Sequence, residues 1–203
     1  MTTGGVPESP LEALVLAAGA GSRFGGGKLL APWRDGVLLD GALAAAFAAP
    51  VRRVTVVWGA DARVPEAARA WAAANGEAAR LRAVAAQAHA EGLSASLKAG
   101  LASLDPGCEG VFVFLGDMPR IPRSVLAPLA KALAAGAAAA APTFAGRRGH
   151  PVLIARALFG EVLTLKGDRG AGMLLQALGP AVASVAAPDD GVLYDIDRPE
   201  DLG

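Results

Sequence analysis

Apolar segments alternate with helical segments along the first two thirds of the chain, and this alternation limits the fold more narrowly than any other feature. Strand-like segments are residues 11–18, Arg53–Trp58, residues 81–86 and Gly110–Leu115, and helical segments are residues 38–49, 65–74 and 93–104. Strands that alternate with helices form a mostly parallel sheet with helices on both faces. We therefore expect an α/β protein with three layers, α/β/α.

The second half of the chain is less regular. It predicts strands at residues 150–154, Val182–Ala186 and residues 192–196, and helices at residues 157–165 and 170–178. A chain of 203 residues is long enough for one sizeable core. We expect residues 1–10 to form a flexible lead and residues 11–203 to form a single domain.

Composition excludes several classes of protein. The 19 Lys and Arg residues balance 19 Asp and Glu residues, so the chain lacks the basic field that nucleic-acid binding usually needs. One cysteine and two histidines argue against a zinc site, and a metal held by carboxylates favours Mg²⁺. The alanine-rich run 132–141 is shorter than the roughly 20 residues that span a bilayer. The first ten residues lack a signal-peptide pattern, so we expect a cytoplasmic protein with no membrane partner.

A glycine-rich segment, residues 19–27, follows the first predicted strand and is called the glycine loop below. It fails as a dinucleotide-binding motif because Phe24 stands where a third glycine or alanine is needed. It fails as a P-loop because Ser22 and Leu29 replace the first glycine and the Ser or Thr that binds Mg²⁺. Backbone N–H groups with Arg23 and Lys28 as cations would suit a triphosphate, and a solvated surface turn is the equal alternative.

Three aspartates lie within or just after predicted strands and are candidate metal ligands. Asp117 comes after the most apolar strand, where an ionised carboxylate needs a cation or hydrogen bonds. Asp195 and Asp197 alternate along an extended segment and so could face one site. In each case the alternative is a capping role in the turn or short helix that follows.

Several motifs together resemble one known group of enzymes. The opening segment Leu16-Ala17-Ala18-Gly19-x-Gly21-x-Arg23-Phe24-Gly25-x-x-Lys28-Leu29 resembles that of the MobA-like nucleotidyltransferase superfamily, whose fold is the nucleotide-diphospho-sugar-transferase (GT-A-like) architecture. Further matching segments are Glu91-Gly92-Leu93-Ser94-Ala95-Ser96-Leu97, Gly116-Asp117-Met118-Pro119, Gly149-His150-Pro151-Val152, Gly167-Asp168-Arg169-Gly170-Ala171 and Asp195-Ile196-Asp197-Arg198-Pro199-Glu200-Asp201-Leu202. Within the superfamily the chain most resembles the molybdenum-cofactor cytidylyltransferase family, because Ala18 stands where the guanylyl branch usually has a second glycine.

The resemblance implies a Mg²⁺-dependent transfer of CMP from CTP to the phosphate of molybdopterin, with release of pyrophosphate. Arg23 and Lys28 would stabilise the triphosphate and the leaving pyrophosphate, while Asp117 and Asp197 would bind Mg²⁺. The product would pass to a molybdenum hydroxylase. The implied nucleotide contacts are Leu16, Ala17, Ala18, Gly19, Gly21, Ser22, Arg23, Lys28, Ser94 and Ser96, and the implied acceptor contacts are Gly149, His150 and Asp168.

Other interpretations stay open for some of these residues and for the whole chain. Ser94 and Ser96 would serve equally well as helix caps, His150 as a hydrogen-bonded loop residue, and Asp168 as half of a solvated ion pair. The chain could be a nucleotidyltransferase for a sugar phosphate or a guanine nucleotide. It could be a glycosyltransferase, because Asp195-Ile196-Asp197 imitates an Asp-x-Asp metal motif. It could also be a non-catalytic partner that loads or protects the cofactor of a molybdenum enzyme.

Overall fold

The computed structural model describes residues 9–167 and 170–202. Within these residues the strands are β1 Leu11–Ala17, β2 Pro32–Trp33, β3 Gly36–Val37, β4 Arg53–Trp58, β5 Leu81–Ala85, β6 Gly110–Leu115, β7 Ala139–Phe144, β8 Arg147–Arg148, β9 Val152–Ala155 and β10 Val182–Ala186. The α-helices are α1 Leu38–Ala48, α2 Val64–Ala74, α3 Leu93–Ala102, α4 Leu126–Ala134, α5 Phe159–Thr164 and α6 Ala171–Leu178. In this part of the chain, no helix has both the length and the apolar character needed to cross a membrane.

One large mixed sheet organises the fold. Seven of its strands lie in the order β10-β7-β9-β6-β1-β4-β5, and β8 pairs with β7 at the side. Strand β1 is parallel to both β4 and β6, whereas β9 is antiparallel to its neighbours β6 and β7. The expected fold class is confirmed: the sheet is mostly parallel and is flanked by helices on both faces.

The two faces of the sheet are buried under different helices. Along β1, Ala13 and Val15 pack in the cluster that contains core residues of α1, α2 and α4. Leu14 and Leu16, which point the other way, pack in the cluster that contains core residues of α3, α5 and α6. Because successive side chains of a strand alternate between faces, a strand covered on both sides must be apolar throughout, as β1 is apart from Glu12.

The prediction of a strand at residues 192–196 is wrong. Asp190–Val192 is a short 3₁₀ turn, and the residues that follow it are irregular. Val192 and Ile196 are both fully buried, so the apolar content of the segment reflects core packing. Backbone hydrogen bonds join the segment to loops. His150 N donates to Val192 O over 2.8 Å, and Ile196 N donates to Asp117 O over 3.1 Å. The segment therefore crosses the end of the sheet instead of joining it.

Strand β7 lies partly within the alanine-rich run, where the sequence predicts no strand. Alanine favours helices in isolation, but Ala139, Ala140 and Ala141 are fully buried in the sheet between β9 and β10. Tertiary packing therefore decides the conformation here.

Candidate active site

The glycine loop and Asp117 meet at one edge of the sheet. The loop begins where β1 ends, and Asp117 follows the end of the parallel neighbour β6. Gly116 N donates to Leu16 O over 2.9 Å, which ties the two strand ends together. The bond from Ile196 N to Asp117 O brings the C-terminal segment, and with it Asp197, to the same edge. Residues far apart in sequence thus converge beyond the carboxyl ends of the strands, where α/β sheets bind ligands.

The glycine loop folds back on itself through two short 3₁₀ turns, Ser22–Phe24 and Lys28–Leu30. Gly21 has a φ of 59°, and a Cβ added there would lie 3.0 Å from the Cβ of Lys28. Gly21 accepts backbone hydrogen bonds from Phe24 N and Gly26 N, at 2.9 and 3.1 Å. Glycine at this position therefore lets the start of the loop pack against Lys28.

Arg23, Lys28, Asp117 and Asp197 form a charged cluster at this edge. Lys28 Nζ lies 2.7 Å from Asp117 Oδ2 and 3.5 Å from Asp197 Oδ1. A guanidinium nitrogen of Arg23 lies 2.8 Å from Asp197 Oδ2. The structure therefore brings together the two predicted catalytic cations and two of the three candidate metal ligands.

The two carboxylates of the cluster suit a hard divalent cation. Asp117 and Asp197 both approach the single ammonium of Lys28, so they are close enough to flank one metal ion. No group of three or more metal-ligating side chains occurs within residues 9–167 and 170–202. Mg²⁺ is commonly held by one or two carboxylates together with substrate phosphates and water, so the donor set fits that ion. Asp195 is exposed and makes no ion pair with Arg23 or Lys28 among the described residues.

Two cavities open on either side of the glycine loop, and Leu16, Gly19, Ala20 and Asp117 line both. The small cavity, of about 100 Å³, lies toward α2 and is also lined by Ala17, Gly21, Lys28, Asp61 and Val64. The large cavity, of about 610 Å³, lies toward the start of α3 and is also lined by Ala18, Ser22, His89, Gly92, Leu93 and Ser96. Only the large cavity has a volume within the range of small-molecule sites. The arrangement can hold a polyphosphate near the cations and a larger organic group in the cleft beside them.

The two predicted nucleotide-binding serines occupy different positions. Gly92 is the N-cap of α3 and offers no side chain, so neither Ser94 nor Ser96 caps this helix. Ser96 is buried and lines the large cavity. Ser94 is also buried, but it borders a separate cavity with Lys98 and Lys166. The structure thus places Ser96, and not Ser94, at the cleft beside the glycine loop.

Two of the predicted acceptor residues, Gly149 and His150, lie just before β9, and His150 contacts both β6 and the C-terminal segment. His150 is half-buried, and its Nδ1 lies 3.3 Å from the carbonyl oxygen of Val113. Burial lowers the pKa of the His150 imidazole, while the Val113 carbonyl, Asp117 and Asp195 act in the opposite direction. The neutral ring is thus favoured. Gly149 packs against the carbonyl of Val192, where a side chain would collide. Asp168 lies outside the described residues.

The sequence did not single out three residues that line or border these cavities. Asp61 lines the small cavity, and Arg63 forms a two-pronged ion pair with it at 2.9 and 2.7 Å. This hydrogen bonding by Arg63 holds the pKa of the Asp61 carboxyl below its ordinary value. His89 lines the large cavity. A signal existed for Asp61, because it lies just after β4, whose carboxyl end is at the same edge of the sheet.

Comparison with known structures finds close likeness over nearly the whole chain. A homologue of Mycobacterium tuberculosis Rv0371c from Mycobacterium sp. strain JC1 is 30% identical, with 95% of this chain and 92% of that chain covered and a TM-score of 0.75. Rv0371c from M. tuberculosis H37Rv in complex with manganese is 27% identical, with 87% of each chain covered and a TM-score of 0.68. A nucleotidyl transferase from Methanothermobacter is 22% identical, with 94% and 93% covered and a TM-score of 0.74, which shows the shared fold.

Comparison with curated protein sequences finds no significant match. A family model described as the MobA-like NTP transferase domain matches residues 13–182. That span contains the glycine loop, Asp117 and the predicted acceptor residues, and it covers most of the chain. The chain belongs to the MobA-like NTP transferase family.

Proposed function

We propose that this protein is a Mg²⁺-dependent nucleotidyltransferase that transfers CMP from CTP to the phosphate of molybdopterin or of the molybdenum cofactor, with release of pyrophosphate. The observation that carries the proposal is the charged cluster, in which two cations and two carboxylates meet beside the glycine loop. A nucleotidyltransferase needs both charges at one place, since its substrate is a polyanion bound with a metal.

The proposed reaction is a displacement at the α-phosphorus of CTP. A phosphate oxygen of the acceptor forms the new bond, and the bond from the α-phosphorus to the bridging oxygen breaks as pyrophosphate leaves. A phosphate monoester is largely ionised at pH 7, with its second pKa at about 6, so no strong general base is required. The proposed reaction therefore needs no catalytic histidine or cysteine.

Positioning and neutralisation of charge are the tasks of the protein in this reaction. Lys28 and Arg23 would bind the triphosphate and stabilise the charge that develops on pyrophosphate. Asp117 and Asp197 would hold Mg²⁺, which supplies further neutralisation of the phosphates. The manganese complex of Rv0371c, a protein 27% identical to this one, supports the use of a divalent cation.

The cavities suggest how the rest of the two substrates would be held. The nucleoside would occupy the large cavity, which Ala18, Ser22 and Ser96 line. Leu16, Ala17, Gly19 and Gly21 would contribute the remaining loop contacts, and Ser94 a contact from the neighbouring cavity.

The acceptor would lie against Gly149, His150 and Asp168. Since the neutral form of His150 is favoured, we propose that it orients the acceptor by hydrogen bonding and carries no charge. In this proposal the catalytic unit is residues 11–203, the protein works in the cytoplasm, and its product goes to a molybdenum hydroxylase.

Titration and turnover with a panel of nucleotides test the proposal. CTP, GTP, ATP and UTP are titrated separately with Mg²⁺, and pyrophosphate release is then followed with molybdopterin as the acceptor. We expect CTP to bind most tightly and to react. Faster reaction with GTP would support the guanylyl alternative, and reaction only with a sugar phosphate would support the sugar-phosphate alternative. Tight binding of molybdopterin without turnover of any nucleotide would support a non-catalytic cofactor-handling role.

A further inference from the structure

Each of three segments that carry the charged cluster also contributes one side chain to a stack of rings and a cation. Trp33 follows Lys28 by five residues, Arg120 follows Asp117 by three, and Tyr194 precedes Asp197 by three. Trp33, Tyr194 and Arg120 are called the stacked column below, and Tyr194 lies at its centre.

The geometry of the stacked column is that of favourable aromatic contacts. The ring centroids of Trp33 and Tyr194 are 6.5 Å apart with an interplanar angle of 42°, as in common tilted ring pairs. The guanidinium carbon of Arg120 lies 4.5 Å from the centroid of the Tyr194 ring, well inside the range of about 6 Å for a cation–π contact. A guanidinium nitrogen of Arg120 also lies 3.9 Å from Oδ1 of Asp190.

Backbone contacts link the same segments beside the column. Ile196 N donates to Asp117 O over 3.1 Å, and Gly191 packs so closely against the Arg120 carbonyl that a Cβ there would collide with it. The Tyr194 hydroxyl donates to Asp201 O over 2.8 Å. The side chain of Asp201 accepts hydrogen bonds from the backbone N–H groups of Asp197 and Arg198, at 3.1 and 2.8 Å. The column therefore joins the segments that carry Asp117 and Asp197, and Trp33 attaches the segment of Lys28.

We propose that the stacked column is a positioning element that sets the separation of Asp117 and Asp197 for a divalent cation. None of its three residues lines either cavity beside the glycine loop, so they are positioning residues and not catalytic ones. A cation held by only two protein carboxylates depends strongly on their spacing, because Mg²⁺ demands near-ideal geometry. The inference rests on the metal site of the proposed function, but not on the identity of the nucleotide or the acceptor.

The test compares variants that break the column with variants that preserve it. Tyr194→Leu removes the ring, and Arg120→Gln removes the cation from an exposed side chain. Tyr194→Phe keeps the stack and loses only the hydroxyl. Arg123→Gln is the matched control, because Arg123 is an exposed arginine further along the same loop and is not part of the stack. The affinity for Mn²⁺ is measured by electron paramagnetic resonance, with saturating CTP, or with GTP if the wild type binds GTP instead.

We expect Tyr194→Leu and Arg120→Gln to weaken Mn²⁺ binding by about tenfold, the scale typical of lost outer contacts around a metal site. Tyr194→Phe and Arg123→Gln should stay within about threefold of the wild type. At saturating Mn²⁺, kcat of the two disruptive variants should return to near the wild-type value, because the column positions the ligands and does not touch the substrates. A merely structural role would lower the melting temperature without this dependence on metal concentration.

Unchanged Mn²⁺ affinity in Arg120→Gln would overturn the inference, even if Tyr194→Leu were destabilised. Equal loss in Tyr194→Phe and Tyr194→Leu would also overturn it, since the hydroxyl and not the stack would then be responsible. If the wild type binds Mn²⁺ and nucleotide but transfers no CMP to molybdopterin, the proposed function fails. The binding series still tests the column in that case.

Discussion

Lys28 and Asp117 neutralise each other in the candidate site: Nζ lies 2.7 Å from Oδ2, and the two side chains are only 11% and 25% exposed. In the proposed reaction Lys28 binds phosphate and Asp117 binds the metal. Lys28 must therefore release Asp117 to bind phosphate, and Asp117 must release Lys28 to bind the metal. When nucleotide and metal arrive together, Lys28 exchanges a carboxylate for phosphate oxygens while Asp117 exchanges an ammonium for the metal. We expect the two ligands to bind with positive coupling.

Replacement of Lys28 should separate the two halves of this exchange. In Lys28→Gln, Asp117 and Asp197 lose the ammonium that competes with a metal ion for their carboxylates. In the absence of nucleotide, we therefore expect this variant to bind Mn²⁺ about threefold or more tightly than the wild type does. CTP with Mg²⁺ should bind more weakly, and transition-state stabilisation should fall by about 2–4 kcal/mol, the range for loss of one preorganised donor. Calorimetric titration and pyrophosphate release measure these effects.

The control for this variant is Lys131→Gln, which removes an exposed lysine from α4. This variant should leave the affinity for Mn²⁺, the affinity for CTP with Mg²⁺ and the rate of turnover unchanged. Weaker Mn²⁺ binding in Lys28→Gln would contradict the competition between the ammonium and the metal, and near-normal turnover would contradict the role of Lys28.

Asp117→Asn should abolish metal-dependent turnover while the protein stays folded. An amide oxygen is a poorer ligand for a hard cation than a carboxylate. Lys28 keeps Asp197 as a partner at 3.5 Å, so the substitution does not leave its charge without compensation. Turnover and thermal unfolding are measured together, with Asp35→Asn at an exposed position as the control. Loss of the fold with normal activity per folded molecule would instead support a capping role for Asp117.

Gly21→Ala should weaken nucleotide binding beyond its effect on stability. Alanine at a positive φ costs roughly 1–2 kcal/mol, and Gly76→Ala carries the same cost because Gly76 has a φ of 73°. Only at Gly21 would the new methyl press on Lys28, 3.0 Å from its Cβ, whereas nothing lies within 4 Å at Gly76. We expect both variants to melt at lower temperature and only Gly21→Ala to bind CTP with Mg²⁺ about tenfold more weakly. Similar affinities in the two variants would show that the packing of the loop on Lys28 does not matter.

Cys108 should stay protonated and unreactive in the folded protein at neutral pH. Burial, and next the charge of Glu12, raise the pKa of the Cys108 thiol from 9.0 to about 11. Between these two values the unfolded chain releases a proton that the folded chain keeps, so stability falls as pH rises through this range. The melting temperature of the wild type should therefore fall more steeply above pH 9 than the melting temperature of Cys108→Ala. Parallel curves, or rapid labelling of the native thiol at pH 8, would contradict this assignment.

The fold could be predicted where local sequence and final environment agree. Arg53–Trp58 and Gly110–Leu115 were predicted with the boundaries that the structure has, because a short apolar run bounded by glycine suits a strand buried on both faces. The prediction of a strand at residues 192–196 is wrong, because Val192 and Ile196 are buried in the core without belonging to a sheet. Strand β7 was missed because its alanines carry no local strand signal.

The site could be predicted residue by residue but not as a set of contacts. Arg23, Lys28, Asp117 and Asp197 were each identified from motifs, and the structure places them together. Their pairing across 89 and 174 residues of sequence depends on the order of the strands. The contact between Arg120 and Tyr194 has no sequence signal for the same reason: it joins two loops that meet only after the sheet has formed.

The fate of a label at the α-phosphorus of the nucleotide tests the central claim most directly. CTP labelled at that atom is incubated with the wild-type protein, Mg²⁺ and molybdopterin, and GTP labelled in the same way is run in parallel. We predict that the label of CTP appears in a molybdopterin product while unlabelled pyrophosphate is released, and that the label of GTP transfers far more slowly. Label that stays in CTP, or that transfers faster from GTP, would contradict the account.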